Sequence, residues 1–398
     1  MNALIVCGGT AGHVNPALAV ASELRFREPD VKILFVGAGK ELEKKLVPQA
    51  GFHLVNIRMS GLRRSLSPDD IVFNMRTLRN LATAGVKAEK LIRRFKPDAV
   101  IGTGGYICYP ILKKASQMGI PTVVHESNAV PGLTTKLLST SVDRVLTSFP
   151  GLEALYRHPG RVVFTGTPVR CGFVPPQGKP ADPQGKPANP QGKPADPQDK
   201  PANPQGKPAA PKAGGKPLVV SFWGSLGAEH MNEMMAEFIK LNIDAGLFDH
   251  IHAAGKSGGA GLIKKRLKQL GAAEELPPGI EVREYIDDMQ SVMEAAEIVV
   301  CRAGGSTLAE LTFMGKPAIL VPSPYTPNNQ QIENAKYVME AGGALVLQEK
   351  DCTGEALFAA AGALLADGGR LKEMADAQRT LGAPDAAANI VDIVFSLR

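Results

Sequence analysis

The chain has 398 residues, a hydrophobic content of 44% and a net charge of +6, and this length favours two domains over one. Its five cysteines show no C-x-x-C spacing, which favours a reducing compartment over a disulfide-bonded secreted protein. The sequence has neither a signal-peptide pattern nor an apolar run long enough to span a bilayer, so we expect a protein that is neither secreted nor transmembrane.

The first predicted element is a buried strand over 2–7, which is followed by Gly8-Gly9-Thr10-Ala11-Gly12-His13 and a predicted helix. Glycines at such a turn let backbone N–H groups approach an anion, and the helix N-terminus adds partial positive charge. His13 at the mouth of this phosphate cradle could take a proton from an incoming hydroxyl. Taken alone the turn is a common one, and its spacing is not that of the dinucleotide fingerprint.

The segment 51–100 is basic, with ten Lys or Arg residues against four Asp or Glu residues. Within 71–95, apolar and cationic residues interleave in a way that suits a helix lying on an anionic membrane surface. An ordinary surface helix packed on its own sheet explains the same periodicity. No nucleic-acid-binding motif accompanies the charge, so we expect no nucleic-acid partner.

A repeat interrupts the middle of the chain. The unit Pro-Gln-Gly-Lys-Pro-Ala-Asp/Asn recurs five times from Pro176 to Ala210, and this composition cannot form a core. We predict a linker over 175–216, with a docking platform for partners as the alternative reading.

Short apolar strands alternate with amphipathic helices on both sides of the linker, as in α/β domains. We predict strands near 2–7, 32–37, 53–57, 98–102, 121–125, 143–147 and 161–165, and then near 217–222, 249–253, 280–284, 297–301, 317–321 and 344–347. Polar clusters follow these strands directly, among them Gly102–Tyr106, His125–Asn128, Gly224–Ala228 and Arg302–Glu310. Two parallel-sheet domains facing across a cleft would gather them at the carboxyl ends of the strands.

The motifs Gly-Gly-Thr-x-Gly-His-x-x-Pro-Ala, Gly-Gly-Tyr, His-Glu-x-Asn-x-x-Pro-Gly, Gly-x-Pro-Val-Arg, Gly-Ser-x-Gly-Ala, Arg-x-Gly-x-x-Thr-x-x-Glu and Gln-Gln occur in this order. Their series resembles the MurG family of peptidoglycan N-acetylglucosaminyltransferases and covers everything except the repeat. The resemblance implies the GT-B fold, which has two Rossmann-like domains. It also implies inverting transfer of N-acetylglucosamine from UDP-N-acetylglucosamine to the 4-hydroxyl of the undecaprenyl-linked acceptor lipid I, which forms lipid II at the cytoplasmic face of the inner membrane.

The resemblance also implies roles for individual residues. His13 would be the general base. The acceptor would be bound by Gly104, Gly105, Tyr106, His125 and Glu126. UDP-N-acetylglucosamine would be bound by Thr10, Ala11, Gly12, Asn128, Arg170, Ser225, Ile286, Thr307, Leu308, Glu310, Gln330 and Gln331. His125 could equally be a structural histidine, and Glu310 could serve only to complement its helix dipole.

The resemblance further implies a domain plan, with an acceptor and membrane-associating domain at 1–174 and a UDP-sugar-binding domain at 217–382. A C-terminal helix in 383–398 would return to the first domain. Partners would be UDP-N-acetylglucosamine, lipid I, the anionic cytoplasmic membrane surface and other cell-wall synthesis proteins. The sequence has no Asp-x-Asp triplet, so we expect no catalytic metal and no cofactor.

Some positions depart from the family pattern, namely Ala11, Cys108-Tyr109, Thr167, Trp223 and Leu226. They leave the acceptor-side geometry open. Alternative functions are a related transferase with another lipid or small-molecule acceptor, a nucleotide-sugar epimerase, and a non-catalytic UDP-sugar-binding scaffold at the membrane.

Overall fold

A computed structural model describes residues 1–57, 59, 83–170, 215–224 and 227–398. Several predictions concern residues outside these ranges: nearly all of the linker at 175–216, residues 71–82 of the basic segment, and the site residue Ser225. In the part of the chain that is described, no helix is both long and apolar enough to cross a bilayer.

The first half of the chain forms a seven-stranded parallel sheet with the strand order β3-β2-β1-β4-β5-β6-β7. Its strands are β1 (Asn2–Val6), β2 (Lys32–Gly37), β3 (His53–Asn56), β4 (Ala99–Gly102), β5 (Thr122–Glu126), β6 (Arg144–Thr147) and β7 (Val162–Phe164). Its helices are α1 (Ala11–Arg27), α2 (Glu41–Gln49), α3 (83–95), α4 (Cys108–Gln117) and α5 (Leu133–Leu138).

The second half forms a six-stranded parallel sheet with the order β10-β9-β8-β11-β12-β13. Its strands are β8 (Leu218–Phe222), β9 (Asp249–Ala253), β10 (Ile280–Arg283), β11 (Ile298–Cys301), β12 (Ala318–Leu320) and β13 (Ala344–Val346). Its helices are α6 (Glu229–Ala245), α7 (Gly259–Gln269), α8 (Met289–Ala295), α9 (Gly305–Met314), α10 (Gln330–Glu340), α11 (Gly354–Ala366), α12 (Gly368–Leu381) and α13 (Ala386–Ser396).

Every predicted strand therefore has its counterpart, and the prediction of an α/β fold with two Rossmann-like parallel sheets is confirmed. The central strands β4, β5, β8 and β11 are buried along their whole length, as expected for parallel strands covered by helices on both faces. In each sheet the strand order reverses between two central strands, β1 and β4 in the first and β8 and β11 in the second. Ligands of such sheets bind outside the carboxyl ends of the strands at this point.

Apolar clusters cover both faces of each sheet, and two of them join the halves of the chain. Ile390, Val391 and Val394 of α13 pack into the core beneath α1 in the first half, and Arg27 of α1 forms an ion pair with Asp392. Phe149 of the first half packs into a core of the second, with its ring centroid 4.8 Å from that of Tyr337. These contacts hold the carboxyl edges of the two sheets close to each other.

Candidate active site

His13 lies in the first turn of α1, directly after the turn that follows β1. Its Nδ1 is 2.8 Å from the carbonyl oxygen of Gly8. Because a carbonyl can only accept, Nδ1 must carry the proton, and Nε2 of the neutral ring keeps its lone pair. The hydroxyl of Thr103, which follows β4, donates to the carbonyl oxygen of His13 at 2.7 Å. The side chain is therefore held in the orientation of a base.

His13 lines a cavity of about 260 Å³ that both halves of the chain enclose. Seven other predicted site residues line the same cavity, and they are Gly104, Gly105, Tyr106, His125, Glu126, Asn128 and Gln330. Pro327 and Gln330 come from the second half, while the remaining lining residues come from the first. The fold thus brings together at one place residues that are up to 317 positions apart.

Gly104 and Gly105 pack tightly against the base. Both have positive φ angles, +116° and +89°. A Cβ atom on Gly104 would lie 2.4 Å from Cδ2 of His13, and a Cβ on Gly105 would lie 2.5 Å from the carbonyl oxygen of Gly8. Glycine is required at both positions because any side chain would displace the imidazole or its hydrogen-bond acceptor.

Glu126 lies at the end of β5, and its carboxylate forms hydrogen bonds with the segment that follows. Its Oε1 accepts from the side-chain amide of Asn128 at 2.9 Å, while Oε2 accepts from the backbone N–H of Gly132 at 2.9 Å and the hydroxyl of Thr135 at 2.7 Å. Glu126 therefore shapes the cavity wall by fixing this segment. Its predicted contact with the acceptor remains a prediction.

His125 is only 2% exposed. Its Nε2 lies 3.0 Å from the carbonyl oxygen of Gly166 and donates to it, whereas Nδ1 is buried without a partner among the described residues. Burial lowers the pKa of this imidazole, and the nearby His13 lowers it further, although Gly166 and Glu126 oppose the shift. His125 is thus a neutral side chain with a structural hydrogen bond and one spare acceptor atom.

Asn334, on α10, joins the two halves, and the sequence motifs do not predict it as a site residue. It is fully buried, at 0% exposure. Its side-chain amide donates to Asn128 Oδ1 at 3.1 Å and to the carbonyl oxygen of Ala303 at 3.0 Å, and its Oδ1 accepts from the N–H of Ala129 at 2.8 Å. The only signal in the sequence is its position one helical turn after the predicted residue Gln330.

Arg170 and Glu310 are both predicted nucleotide contacts, and the structure pairs them with each other. Nε and Nη2 of Arg170 donate to the two carboxylate oxygens of Glu310 at 2.7 and 2.9 Å. Burial raises the pKa of Glu310, while the charge of Arg170 opposes this shift. A ribose could bind the carboxylate of Glu310 only by sharing or replacing this contact.

The other predicted nucleotide residues that the structure describes lie along the same edges of the two sheets. Thr10, Ala11 and Gly12 form the start of α1, and a Cβ on Gly12 would lie 3.3 Å from the hydroxyl of Ser306 across the cleft. Thr307 and Leu308 are in the first turn of α9, and Ile286 is buried in the same apolar cluster as Leu308. Gln330 lines the cavity and Gln331 does not. The side-chain oxygen of Gln331 instead accepts from the backbone N–H of Ser323 at 2.9 Å.

Comparison with protein families agrees with this architecture. Residues 3–147 match the glycosyltransferase family 28 N-terminal domain, and residues 218–390 match the C-terminal domain of the same family. A protein of Acetivibrio thermocellus, named UDP-N-acetylglucosamine--N-acetylmuramyl-(pentapeptide) pyrophosphoryl-undecaprenol N-acetylglucosamine transferase, is 40% identical over 99% of this chain and 97% of its own length. A protein of the same name from Caldanaerobacter subterraneus is 36% identical over the full length of both.

Solved structures show the same fold. The crystal structure of Acinetobacter baumannii MurG aligns over 100% of both chains with a TM-score of 0.69 and 24% identity. A UDP-GlcNAc 2-epimerase from Neisseria meningitidis, bound to UDP-GlcNAc, aligns over 100% of both chains with a TM-score of 0.63 and 12% identity. These likenesses concern the fold, since sequence identity is low in both cases, and they agree with the GT-B architecture that the sequence predicts.

Proposed function

Because the chain belongs to glycosyltransferase family 28 and matches N-acetylglucosamine transferases over its whole length, we propose that it performs the reaction for which those relatives are named. It transfers N-acetylglucosamine from UDP-N-acetylglucosamine to the muramyl sugar of undecaprenyl-diphospho-N-acetylmuramoyl-pentapeptide, and so makes lipid II. The observation that carries this proposal is the cavity between the two halves. It contains a histidine whose Nε2 has no hydrogen-bond partner among the described residues and can accept a proton.

In the proposed mechanism, Nε2 of His13 takes the proton from the acceptor 4-hydroxyl as its oxygen attacks the anomeric carbon of the donor sugar. The bond between that carbon and the diphosphate oxygen breaks, and UDP leaves with the electron pair. Attack from the face opposite the leaving group inverts the configuration. Hydrogen bonding of Nδ1 to Gly8 holds the ring in the required tautomer.

Negative charge develops on the leaving diphosphate, and we expect the protein to stabilise it without a metal. The N-termini of α1 and α9 face each other at the carboxyl edges of the sheets, since Gly12 lies next to Ser306. Their backbone N–H groups and partial positive charges suit an anion at this place. Arg170 can add a guanidinium if its contact with Glu310 is shared or exchanged with the nucleotide.

The acceptor is carried by a lipid, and we propose that the first half of the chain meets the anionic cytoplasmic surface of the membrane. The segment 51–100 carries an excess of six positive charges. In the described part of this segment, the side chain of Val86 on α3 is 59% exposed. Cations bordering exposed apolar side chains favour binding to anionic lipid headgroups.

The test is transfer of radiolabelled N-acetylglucosamine to a lipid I analogue in the presence of EDTA, with excess UDP-glucose as competitor. We expect transfer that EDTA does not abolish and that UDP-glucose inhibits weakly. Equal transfer to plain diacylglycerol would indicate a different acceptor class. Tight donor binding with no transfer to lipid I would indicate a non-catalytic scaffold, and either result would contradict the proposal.

A further inference from the structure

Glu43 is a carboxylate at 0% exposure in the first turn of α2, and the proposed mechanism does not use it. Its Oε2 accepts from the backbone N–H groups of Gly39 at 2.8 Å and Lys40 at 3.1 Å, so this oxygen caps its own helix. Its Oε1 has a different partner, the N–H of Gly9 at 2.7 Å in the turn before α1. Helix capping explains the first oxygen and leaves the second unexplained.

The N–H of Gly9 and the C=O of Gly8 belong to one peptide group. The carboxylate of Glu43 binds this group at its N–H, while Nδ1 of His13 binds it at its carbonyl oxygen, 2.8 Å away. Because a peptide is a resonance system, an anion at its N–H increases the electron density on its oxygen. The negative charge of Glu43 is therefore conveyed to the imidazole without direct contact.

Close packing holds Gly8 and the carboxylate of Glu43 in place. Gly8 is buried, and a Cβ there would lie 2.9 Å from Cγ2 of Ile107. A Cβ on Gly37 would lie 2.5 Å from Oε2 of Glu43. The side chain of Ile107 thus packs against Gly8, and the backbone of Gly37 packs against the carboxylate of Glu43, so neither group has room to shift. Burial of this carboxylate strengthens its hydrogen bonds electrostatically.

We propose that Glu43 is a positioning residue for His13 and acts through the Gly8–Gly9 peptide, an inference that rests on the proposed role of His13 as the base. Glu43 favours the tautomer with hydrogen on Nδ1, and it stabilises the imidazolium that forms when Nε2 takes the acceptor proton. This is the role of the aspartate in a Ser-His-Asp triad, with a peptide group inserted between carboxylate and imidazole. No proton moves to Glu43.

The first experiment is the Glu43→Gln variant, which keeps the size of the side chain and removes its charge. We expect kcat for transfer to a lipid I analogue to fall about 10–100-fold, with the Kd for UDP-N-acetylglucosamine within about twofold of wild type. Asp143→Asn is the matched control, because the carboxylate of Asp143 also accepts from a backbone N–H, that of Thr122 at 2.8 Å. This contact lies at the amino ends of β5 and β6, on the side of the sheet away from the cavity. The kcat of Asp143→Asn should not change.

A double-mutant cycle separates a relay from a general structural effect. In the His13→Ala background, Glu43→Gln should cause no further loss of turnover. A further loss as large as that in the wild-type background would overturn the proposal. Wild-type kcat in Glu43→Gln alone would also overturn it but leave the base role of His13 intact, whereas wild-type kcat in His13→Ala would refute that base role itself.

A spectroscopic measurement on the unmodified protein does not depend on how Glu43→Gln folds. In the ¹⁵N spectrum of histidine-labelled protein, the signals lost in His13→Ala identify His13. We expect the signals of the neutral ring to show hydrogen on Nδ1, the tautomer that is less populated in free histidine. A ring with hydrogen on Nε2 would overturn the proposal.

Discussion

Gly104→Ala is the substitution for which the structure makes the sharpest quantitative prediction. The new Cβ would lie 2.4 Å from Cδ2 and 2.7 Å from Nε2 of His13. Carbon atoms pack no closer than about 3.5 Å without repulsion, so the imidazole has to move by about 1 Å. A misplacement of this size at a reacting group can lower the rate by about 100-fold. We therefore expect kcat to fall by about that factor.

Gly104 also has a φ of +116°, and alanine in such a conformation costs about 1–3 kcal/mol of stability. Gly119→Ala provides the control for this backbone term. Gly119 has a φ of +73°, lies beyond the end of α4, and has no atom within 4 Å of an added Cβ. It should lose about 1–2 kcal/mol of stability and keep its kcat.

Initial rates of labelled-sugar transfer, the Kd for UDP-N-acetylglucosamine and the midpoint of urea unfolding are measured for both variants. We expect both variants to be destabilised and only Gly104→Ala to lose turnover. It is refuted if Gly104→Ala transfers sugar at the wild-type rate, or if Gly119→Ala loses turnover to the same extent.

Three further predictions follow from the cores and the linker. Burial lowers the pKa of His250 to about 3, so the stability that the neutral ring contributes is present above pH 6.5 and is lost as the pH falls below that value. Between pH 7.5 and 5.5, the free energy of urea unfolding should therefore fall by about 1.4 kcal/mol less in His250→Phe than in wild type. Asn334→Ala should lower the free energy of unfolding by about 1–3 kcal/mol, and so should its control Asn242→Ala, which likewise removes buried hydrogen bonds to the backbone. Steady-state kinetics should show a raised KM only for Asn334→Ala, because the hydrogen bonds of Asn242 lie within one domain. Excision of residues 176–212 should preserve transfer in the same assay if the remaining chain bridges the two domains, and a complete loss would show that the repeat has a structural or docking role.

The layout of the fold was predictable because each central strand is a short apolar run that ends in a polar or glycine-rich cluster. The cavity around His13, Gly104 and Asn128 follows from that rule, since the carboxyl ends of parallel strands lie at one edge of the sheet. These features depend on local sequence, so one amino-acid sequence is enough to predict them.

The hydrogen-bond and ion-pair partners of individual side chains were not predictable, because they depend on distances between segments that are far apart in the chain. The family resemblance assigns both Arg170 and Glu310 to the nucleotide, and nothing in the sequence indicates that they bind each other. Glu43 reaches Gly9 across 34 residues, and in the sequence it is an ordinary acidic residue at the start of a helix. Asn334 carries no motif.

The proposed transfer mechanism depends most on His13 as the base, and the His13→Ala variant tests this role most directly. With UDP-N-acetylglucosamine binding measured by calorimetry and sugar transfer to a lipid I analogue measured on the same preparation, we expect an unchanged Kd and a kcat lowered by about 10²–10⁴-fold. Transfer at the wild-type rate would contradict the account.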